Sequence, residues 1–332
     1  MLQEASKQEK LFTFRSGGWV LLLAGFFTLV AAGLVLYPVL STGGFHRMLG
    51  DGRNIDTYGF DLSNLAIPKE KLVASGNSKD QIRAIPESLV ETITPGDVQL
   101  MADNEHIRFL VPSDRIIGIL LNGTARAYPL RVLNYHEMVN DIVGGTPVGV
   151  SFSPLSDSAV VFDRRIDGPS EPAAEFGVSG LMVASTTVYF DRRGTLKDES
   201  LWPQLEMKAV SGPAVGKTLT LVPYVLTTWE KWKQDHPDTR VLRGLRTHKS
   251  EYGSDPYNLY GENDDVRFPV QPYWNVASVP RKTRIVAASS DGKQWRVARE
   301  GTSVSEPMQI HAYLFAWYAE HEGDTDYSAV KP

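Results

Sequence analysis

The sequence predicts an α+β fold in which β-strands dominate. We expect a mostly antiparallel sheet or barrel-like domain with a few short helices, and one N-terminal transmembrane helix. Three observations support this expectation. Short β-branched and aromatic runs recur between residues 107 and 190. Hairpin signals outnumber the strand–helix–strand patterns that a parallel sheet requires. A long run near the N-terminus contains no charged residue, as a membrane-spanning helix requires.

The composition is that of a folded protein without thiol chemistry. The chain has 332 residues, of which 42% are hydrophobic and 10% aromatic, enough to bury a substantial core. It contains no cysteine, which excludes disulfides, thiolate metal sites and cysteine nucleophiles. The net charge is −5 and the basic residues are scattered. A nucleic-acid partner is therefore not expected, because such proteins carry basic patches.

The N-terminal run from Trp19 to Leu40 is long enough to cross a membrane, since a helix rises about 1.5 Å per residue and the hydrocarbon core is about 30 Å thick. More basic residues precede the run than follow it closely, which favours a cytoplasmic N-terminus. We expect residues 1–18 to be a cytoplasmic tail and 19–40 a single-pass helix in the lipid bilayer. The alternative, a cleaved signal peptide, is less favoured because the run exceeds a usual signal sequence.

Residues 41–86 are rich in Gly, Asp, Asn, Ser and Lys and are predicted to form a tether that becomes an extended arm lying on the domain. The domain itself is expected at residues 87–328. Its first strands are predicted at 107–111, 115–121 and 124–128. Asn122-Gly123 separates the last two, and this dipeptide is the strongest short signal for a β-hairpin.

A helix is predicted from Pro129 to about Asn140, because proline favours the first helical turn and a Gly-Gly pair follows the segment. Helical spacing would place His136 and Asn140 on one face and Glu137 and Asp141 on the adjacent face. Strands are predicted next at 148–152 and 159–163. The intervening Ser-Pro-Leu-Ser-Asp-Ser segment is predicted to be the turn between them.

Two later segments, at 229–235 and 308–320, are predicted to be helices, the first with Thr228 as its N-cap. Both end in a similar pattern, in which a tryptophan is followed four residues later by a histidine and then by an Asp-Thr pair. An Arg-Ile-Ile run at 115 is likewise similar to Arg-Ile-Val at 284. The sequence thus indicates two weakly similar halves, although matches this short also arise by chance.

Several segments together resemble one bacterial family, the domain of unknown function DUF3179. They are AYPLRVLNYHEMVNDIVGGTPVGVSFSPLSDSAVVFD, FGVSGL, SLWPQ, TTWEKWKQDHPDTRVL and FAWYAEHEGDT. The resemblance extends over about residues 56–327. It implies a bacterial protein, so the expected location is the inner (cytoplasmic) membrane with the main domain in the periplasm. It implies no particular reaction, because none is established for the family.

The chain departs from the family at one turn. Family members typically have a Cys-Pro-Leu-Cys turn where this chain has Ser153-Pro154-Leu155-Ser156. Thiolates are good metal ligands and nucleophiles, whereas serine hydroxyls are weak ligands and need an activating base. Any chemistry that the family's thiols perform is therefore not expected here.

One group of polar residues forms the candidate site: His136, Glu137, Asn140, Asp141, Ser153 and Ser156. In a functional interpretation His136 is a metal ligand or general base, oriented by Glu137 or Asp141. In a structural interpretation His136 is a core histidine bonded to the backbone, and Asn140 and Asp141 belong to a helix end. The structural interpretation is favoured because no second histidine lies nearby in the sequence. No residue is assigned as catalytic.

Two hypotheses for function follow. The first is a non-catalytic, membrane-anchored accessory or scaffold subunit that docks onto an integral membrane protein complex, whether respiratory, photosynthetic or transport. It needs no cofactor. The second is a periplasmic metal-binding or metal-dependent protein centred on His136, for which a metal ion would be the cofactor. The first is favoured, because no complete catalytic set is present and the thiols are missing.

Overall fold

The structure, a computed structural model, describes residues 18–41, 49–104, 109–248, 251–276 and 278–330. The chain divides into two compact units, residues 1–47 and 48–332. The first contains helix α1 (Gly18–Ser41). Within the described ranges, no helix combines the length and the apolar character that crossing a membrane requires.

The second unit is built mainly from short strands. Its described strands are β1 (Leu72–Ala74), β2 (Thr92–Ile93), β3 (Arg115–Leu121), β4 (Thr124–Pro129), β5 (Met138–Val143), β6 (Thr146–Ser153), β7 (Ser158–Asp163), β8 (Glu175–Val183), β9 (Thr186–Arg192), β10 (Leu201–Pro203), β11 (Thr220–Leu221), β12 (Val225–Thr228), β13 (Arg240–Leu242), β14 (Arg284–Ser289), β15 (Trp295–Arg299), β16 (Met308–Tyr313) and β17 (Thr325–Asp326). Its described helices are α2 (Pro95–Asn104), α3 (Leu130–His136), α4 (Trp229–Asp235), α5 (Asn258–Gly261) and α6 (Leu314–His321).

The strands form three sheets. One has the order β1-β8-β9-β10, the second β17-β15-β14-β16-β7-β6-β5 with β11 beside β7, and the third β12-β3-β4-β13-β2. Among the strand pairs described, β4 with β13 and β15 with β17 are parallel, and the others are antiparallel. The prediction of a β-dominated, mostly antiparallel domain with a few short helices is confirmed.

The large sheet is covered by hydrophobic side chains on both faces, because successive residues of a strand point to opposite sides. On β7, Val160 and Phe162 join one hydrophobic cluster, while Ala159 and Val161 join the other. Residues 49–86 contribute to the first cluster, since Tyr58 is fully buried and β1 pairs with β8. The core therefore holds β6 and β7, and with them the serine turn, rigidly between two packed layers.

The local hairpin and turn predictions are confirmed. Asn122 and Gly123 both have positive φ, at 49° and 77°, and they connect β3 to β4. The Ser-Pro-Leu-Ser segment connects β6 to β7, as predicted. Helix α4 has its predicted bounds, and the Thr228 hydroxyl accepts a hydrogen bond from the Lys231 N–H.

Two predicted helices are partly wrong. The helix from Pro129 stops at His136, because Glu137 adopts the left-handed conformation (φ 56°) and caps it. The next residues form β5, which pairs with β6 along its whole length. Similarly, the first half of the helix predicted at 308–320 is strand β16. The strand predicted at 107–111 is also wrong where it is described, since residues 109–111 lie outside the strands.

The two similar halves have the same topology. The orders β12-β3-β4-β13 and β16-β14-β15-β17 match strand for strand, including the final parallel pair. In the first half the Trp232 Nε1–H donates to Thr239 Oγ1 at 2.9 Å. In the second, the Trp317 Nε1–H donates to Thr325 Oγ1 at 3.1 Å. The sequence echo therefore reflects a structural repeat.

Candidate functional site

His136 is a fully buried histidine whose two ring nitrogens are both hydrogen-bonded. Its Nδ1 lies 2.7 Å from the Arg83 carbonyl and must donate, because a carbonyl only accepts. Its Nε2 therefore accepts from the Tyr252 hydroxyl, 2.6 Å away, and that hydroxyl accepts in turn from the Leu245 N–H. Burial lowers the pKa of His136 to about 4. The ring is a neutral structural group, and neither nitrogen is open to a metal ion or a substrate.

Asn140 and Asp141, predicted on helical faces with His136 and Glu137, lie instead on β5 and hold other strands in place. The Asn140 side chain accepts from the Phe176 N–H at 2.8 Å and donates to the Phe176 carbonyl at 2.9 Å, so it fastens β5 to β8. The buried Asp141 carboxylate accepts from the Tyr128 hydroxyl at 2.7 Å and pairs with Arg126 at 3.2 Å, so it fastens β5 to β4. Both residues have structural roles.

Glu137 presents a different environment. Its carboxyl group is buried, and Oε2 accepts a hydrogen bond from the Thr187 hydroxyl at 2.6 Å. No cationic side chain of the described residues forms an ion pair with it. Burial raises its pKa to about 7, because the charged form loses hydration without gaining a counter-charge.

Ser153 extends the Glu137 hydrogen bonds by one step. Its Oγ lies 3.1 Å from the Thr187 hydroxyl and accepts from the Thr187 N–H at 3.1 Å. The Thr187 hydroxyl lies within donating distance of both Glu137 Oε2 and Ser153 Oγ, so the three groups form one hydrogen-bonded chain. Ser153 is fully buried, so this oriented chain positions the Glu137 carboxyl and does not expose a nucleophile.

Ser156 belongs to a separate network. Its hydroxyl lies 2.7 Å from the Ser158 hydroxyl, which donates to Gln204. The Gln204 amide donates in turn to the Ser151 hydroxyl at 3.0 Å. The two serines of the turn therefore face different partners, and neither is hydrogen-bonded to His136. The structure does not bring the six predicted residues into one site.

A cavity of about 120 Å³ adjoins Glu137. Its walls are partly apolar and partly polar and come from the chain segment before β2, the β6–β7 turn, β8, β9 and the loop after α5; the apolar residues include Ile82, Leu155, Val178, Leu181, Met182 and Phe268, and the polar ones Ser75, Asn77 and Thr187. Tyr257 and Arg267 also line it. The second carboxylate oxygen, Oε1, makes no hydrogen bond to a described residue. An oriented carboxyl group at a partly apolar cavity is the arrangement of a binding site for a small polar or charged group.

A larger cleft, of about 460 Å³, also borders the serine turn. Asp157 in that turn receives both Arg115, through Nη1 at 2.8 and 2.9 Å, and Arg284, through Nε at 2.5 Å. Tyr260 and Tyr313 line the same cleft. The sequence analysis did not predict this site. One signal indicates it: the two arginines begin the similar Arg-Ile-Ile and Arg-Ile-Val runs on β3 and β14.

Metal-binding geometry is not found in the described ranges, where no group of three or more His, Cys, Asp or Glu side chains is placed to hold an ion. Glu137 at its cavity and the Arg115–Asp157–Arg284 cluster at the cleft are two places where polar groups face open space.

Comparison with known proteins gives one match. A family model described as a protein of unknown function (DUF3179) matches residues 79–330. No curated protein and no solved structure matches the chain.

Proposed function

The chain belongs to the DUF3179 family, and we propose that it is a non-catalytic, membrane-anchored extracytoplasmic subunit that docks onto an integral membrane protein complex. One observation carries the proposal. The histidine and the two serines on which a hydrolytic or metal-dependent reaction would depend are buried and hydrogen-bonded to other parts of the fold.

Catalysis needs a base within reach of a nucleophile that a substrate can approach. His136 is the central candidate base, but its Nε2 is already bonded to Tyr252. Ser153 and Ser156 are the candidate nucleophiles, but both are fully buried. The same hydrogen bonds disfavour a metal centre on His136, because a ligating nitrogen must be free of other partners.

The anchor is proposed from the sequence of the N-terminal run and from the exposed apolar side chains there. The run from Trp19 to Leu40 contains no charged residue, and large apolar side chains on the helix are exposed, among them Phe26 at 59%, Phe27 at 64% and Leu29 at 74%. Exposed apolar surface of this extent needs an apolar environment such as lipid or a protein partner. The basic residues that precede the run support a cytoplasmic N-terminus and a periplasmic domain.

The cleft beside Asp157 supports binding over reaction. Four of its charges cancel, since Arg115 and Arg284 both pair with Asp157 and with Glu300. Paired charges of this kind fix a rigid polar surface, which favours specific contact with a partner.

The proposal is tested by purifying the full chain from native membranes in a mild detergent. We expect one or more integral membrane proteins to co-purify in fixed stoichiometry. A chain that runs alone in several mild detergents would overturn the docking role. The anchor is tested separately with L23K/F27K, which should release the protein from the membrane fraction. Retention of that variant under high-salt washing would argue against insertion of α1.

A further inference from the structure

The cavity beside Glu137 has the features of a site for a positively charged alkyl group. We propose that it binds a primary alkylammonium group, supplied either by a free small amine or by a lysine side chain of a docked partner. Only the lysine source rests on the proposed docking function.

The first argument is the incomplete pairing of the carboxyl group. Oε2 is held by the Thr187 hydroxyl, and Ser153 in turn holds Thr187. Oε1 has no partner among the described residues, and Glu137 lines the cavity. A buried carboxylate without a cation is costly, so a fold that orients one towards a cavity leaves a place for a positive charge.

The second argument is the backbone of Glu137. The residue caps α3 in the left-handed conformation, with φ 56°. Glycine is the usual residue at such a position because a side chain is strained there. A glutamate is less favourable than glycine in this conformation, and the helix cap alone gives no reason for it. The position of the carboxyl group does give a reason, since from the helix end it contacts Thr187 and lines the cavity.

The third argument is the size and polarity of the cavity. About 120 Å³ corresponds to roughly four water molecules, which is close to the size of a four-carbon amine. Apolar walls formed by residues such as Val178, Leu181 and Phe268 suit the methylene chain, and Glu137 suits the ammonium. An anionic group of the same size would be repelled by the negative charge of the Glu137 carboxylate.

Two further titratable groups line the cavity, Tyr257 and Arg267. Burial holds the pKa of Tyr257 well above neutrality, so its hydroxyl stays neutral and can accept from an ammonium. Arg267 is exposed, and Glu137 is the lining residue whose pKa, about 7, lies between pH 5.5 and 8.

The test uses the detergent-solubilised full chain, purified without partners, and n-butylammonium as the probe, with calorimetry or ligand-observed NMR as the readout. We expect binding that is about 30-fold tighter at pH 8 than at pH 5.5, because the ionised fraction of a group with a pKa of about 7 rises by that factor. n-Butanol and n-butyrate, which match the probe in size, should bind at least tenfold more weakly. Equal binding of either would overturn the proposal.

Two variants make the test specific. E137Q keeps the size of the side chain and should weaken n-butylammonium binding at least tenfold, while E171Q, at an exposed glutamate, should leave it unchanged. T187V keeps Glu137 and removes its positioning hydroxyl, so it should weaken binding less than E137Q. Thermal unfolding checks that each variant is folded. Unchanged binding in folded E137Q would sink the proposal.

A second arm identifies the source. If a partner lysine fills the cavity, millimolar n-butylammonium should release the co-purified partner, and N-acetyl-lysine amide should compete with the probe better than its Nε-acetylated form. If the source is a free amine, the partner stays bound. Either result supports the site. The probe experiment does not depend on any partner, so failure of the docking function would leave it intact.

Discussion

The pH dependence of the free energy of unfolding tests the burial of the Glu137 carboxyl group. Its pKa is about 7 in the folded protein and 4.5 as the ordinary value, so the folded state keeps a proton that the unfolded state has released. Stability is therefore lost as the pH rises from 4.5 to 7. E137Q cannot ionise and escapes this loss, while its amide oxygen can still accept from Thr187.

The magnitude follows from the shift. A difference of 2.5 units, 7 minus 4.5, corresponds to roughly 3 kcal/mol once both states are ionised. At pH 5 less than about 1 kcal/mol of this has developed. The free energy of unfolding of E137Q relative to wild type should therefore rise by about 2 to 3 kcal/mol between pH 5 and pH 8.

Comparison with wild type is essential because two histidines have the opposite effect. Burial lowers the pKa of His136 and His311 to about 4, so the unfolded state binds their protons first as the pH falls from 6.5. They add stability as the pH rises through the window in which Glu137 removes it. Both histidines are present in E137Q, so their contributions cancel in the difference.

The assay is urea unfolding of the full chain in mild detergent, followed by tryptophan fluorescence at pH 5 and pH 8. E171Q is the matched control and should show no pH-dependent difference from wild type. If the free energies of unfolding of E137Q and wild type differ by the same amount at both pH values, the claim that the Glu137 carboxyl group is buried without a counter-charge is refuted.

Three further predictions concern other parts of the fold. D157N removes the carboxylate shared by two arginines and should lower the free energy of unfolding in urea by about 2 kcal/mol. A loss below about 0.5 kcal/mol, the size typical of an exposed ion pair, would show that water solvates the two arginines as well as Asp157 does. W317F and T325V should be non-additive by about 1 kcal/mol in a double-mutant cycle, and full additivity would contradict the indole hydrogen bond. Both carboxyl oxygens of Glu320 are buried without a hydrogen bond, and burial raises the pKa of Glu320. E320Q should therefore stabilise the protein at pH 8 by about 1 to 3 kcal/mol. If E320Q is less stable than wild type, Glu320 is ionised and paired.

The elements that sequence predicts best are those fixed by local chemistry. Asn122-Gly123 specifies its hairpin because both residues tolerate positive φ. Helix α4 begins where the Thr228 side chain caps it and ends before Pro237. In each case a few adjacent residues determine the conformation.

The strand after His136 cannot be predicted from the local sequence. Met138–Val143 contains apolar residues that fit helical spacing, but pairing with β6 along its whole length makes it a strand. The decisive step is the left-handed turn at Glu137, a conformation that glutamate rarely adopts. In this conformation the Glu137 side chain accepts a hydrogen bond from Thr187, 50 residues away.

The sites were only partly predictable for the same reason. Six polar residues were recognised from their density in the sequence, but their partners are distant. Asp157 meets Arg284 across 127 positions, and His136 meets Tyr252 across 116. Such pairings depend on the order of strands in the sheets, which no local pattern specifies.

The docking role is tested most directly by what accompanies the intact chain. Mild-detergent purification of the full-length protein from its native membranes, followed by mass measurement of the intact particle, should give a complex in which this chain has a fixed stoichiometry with at least one integral membrane protein. A particle that contains this chain alone, reproducibly and in several detergents, would contradict the account.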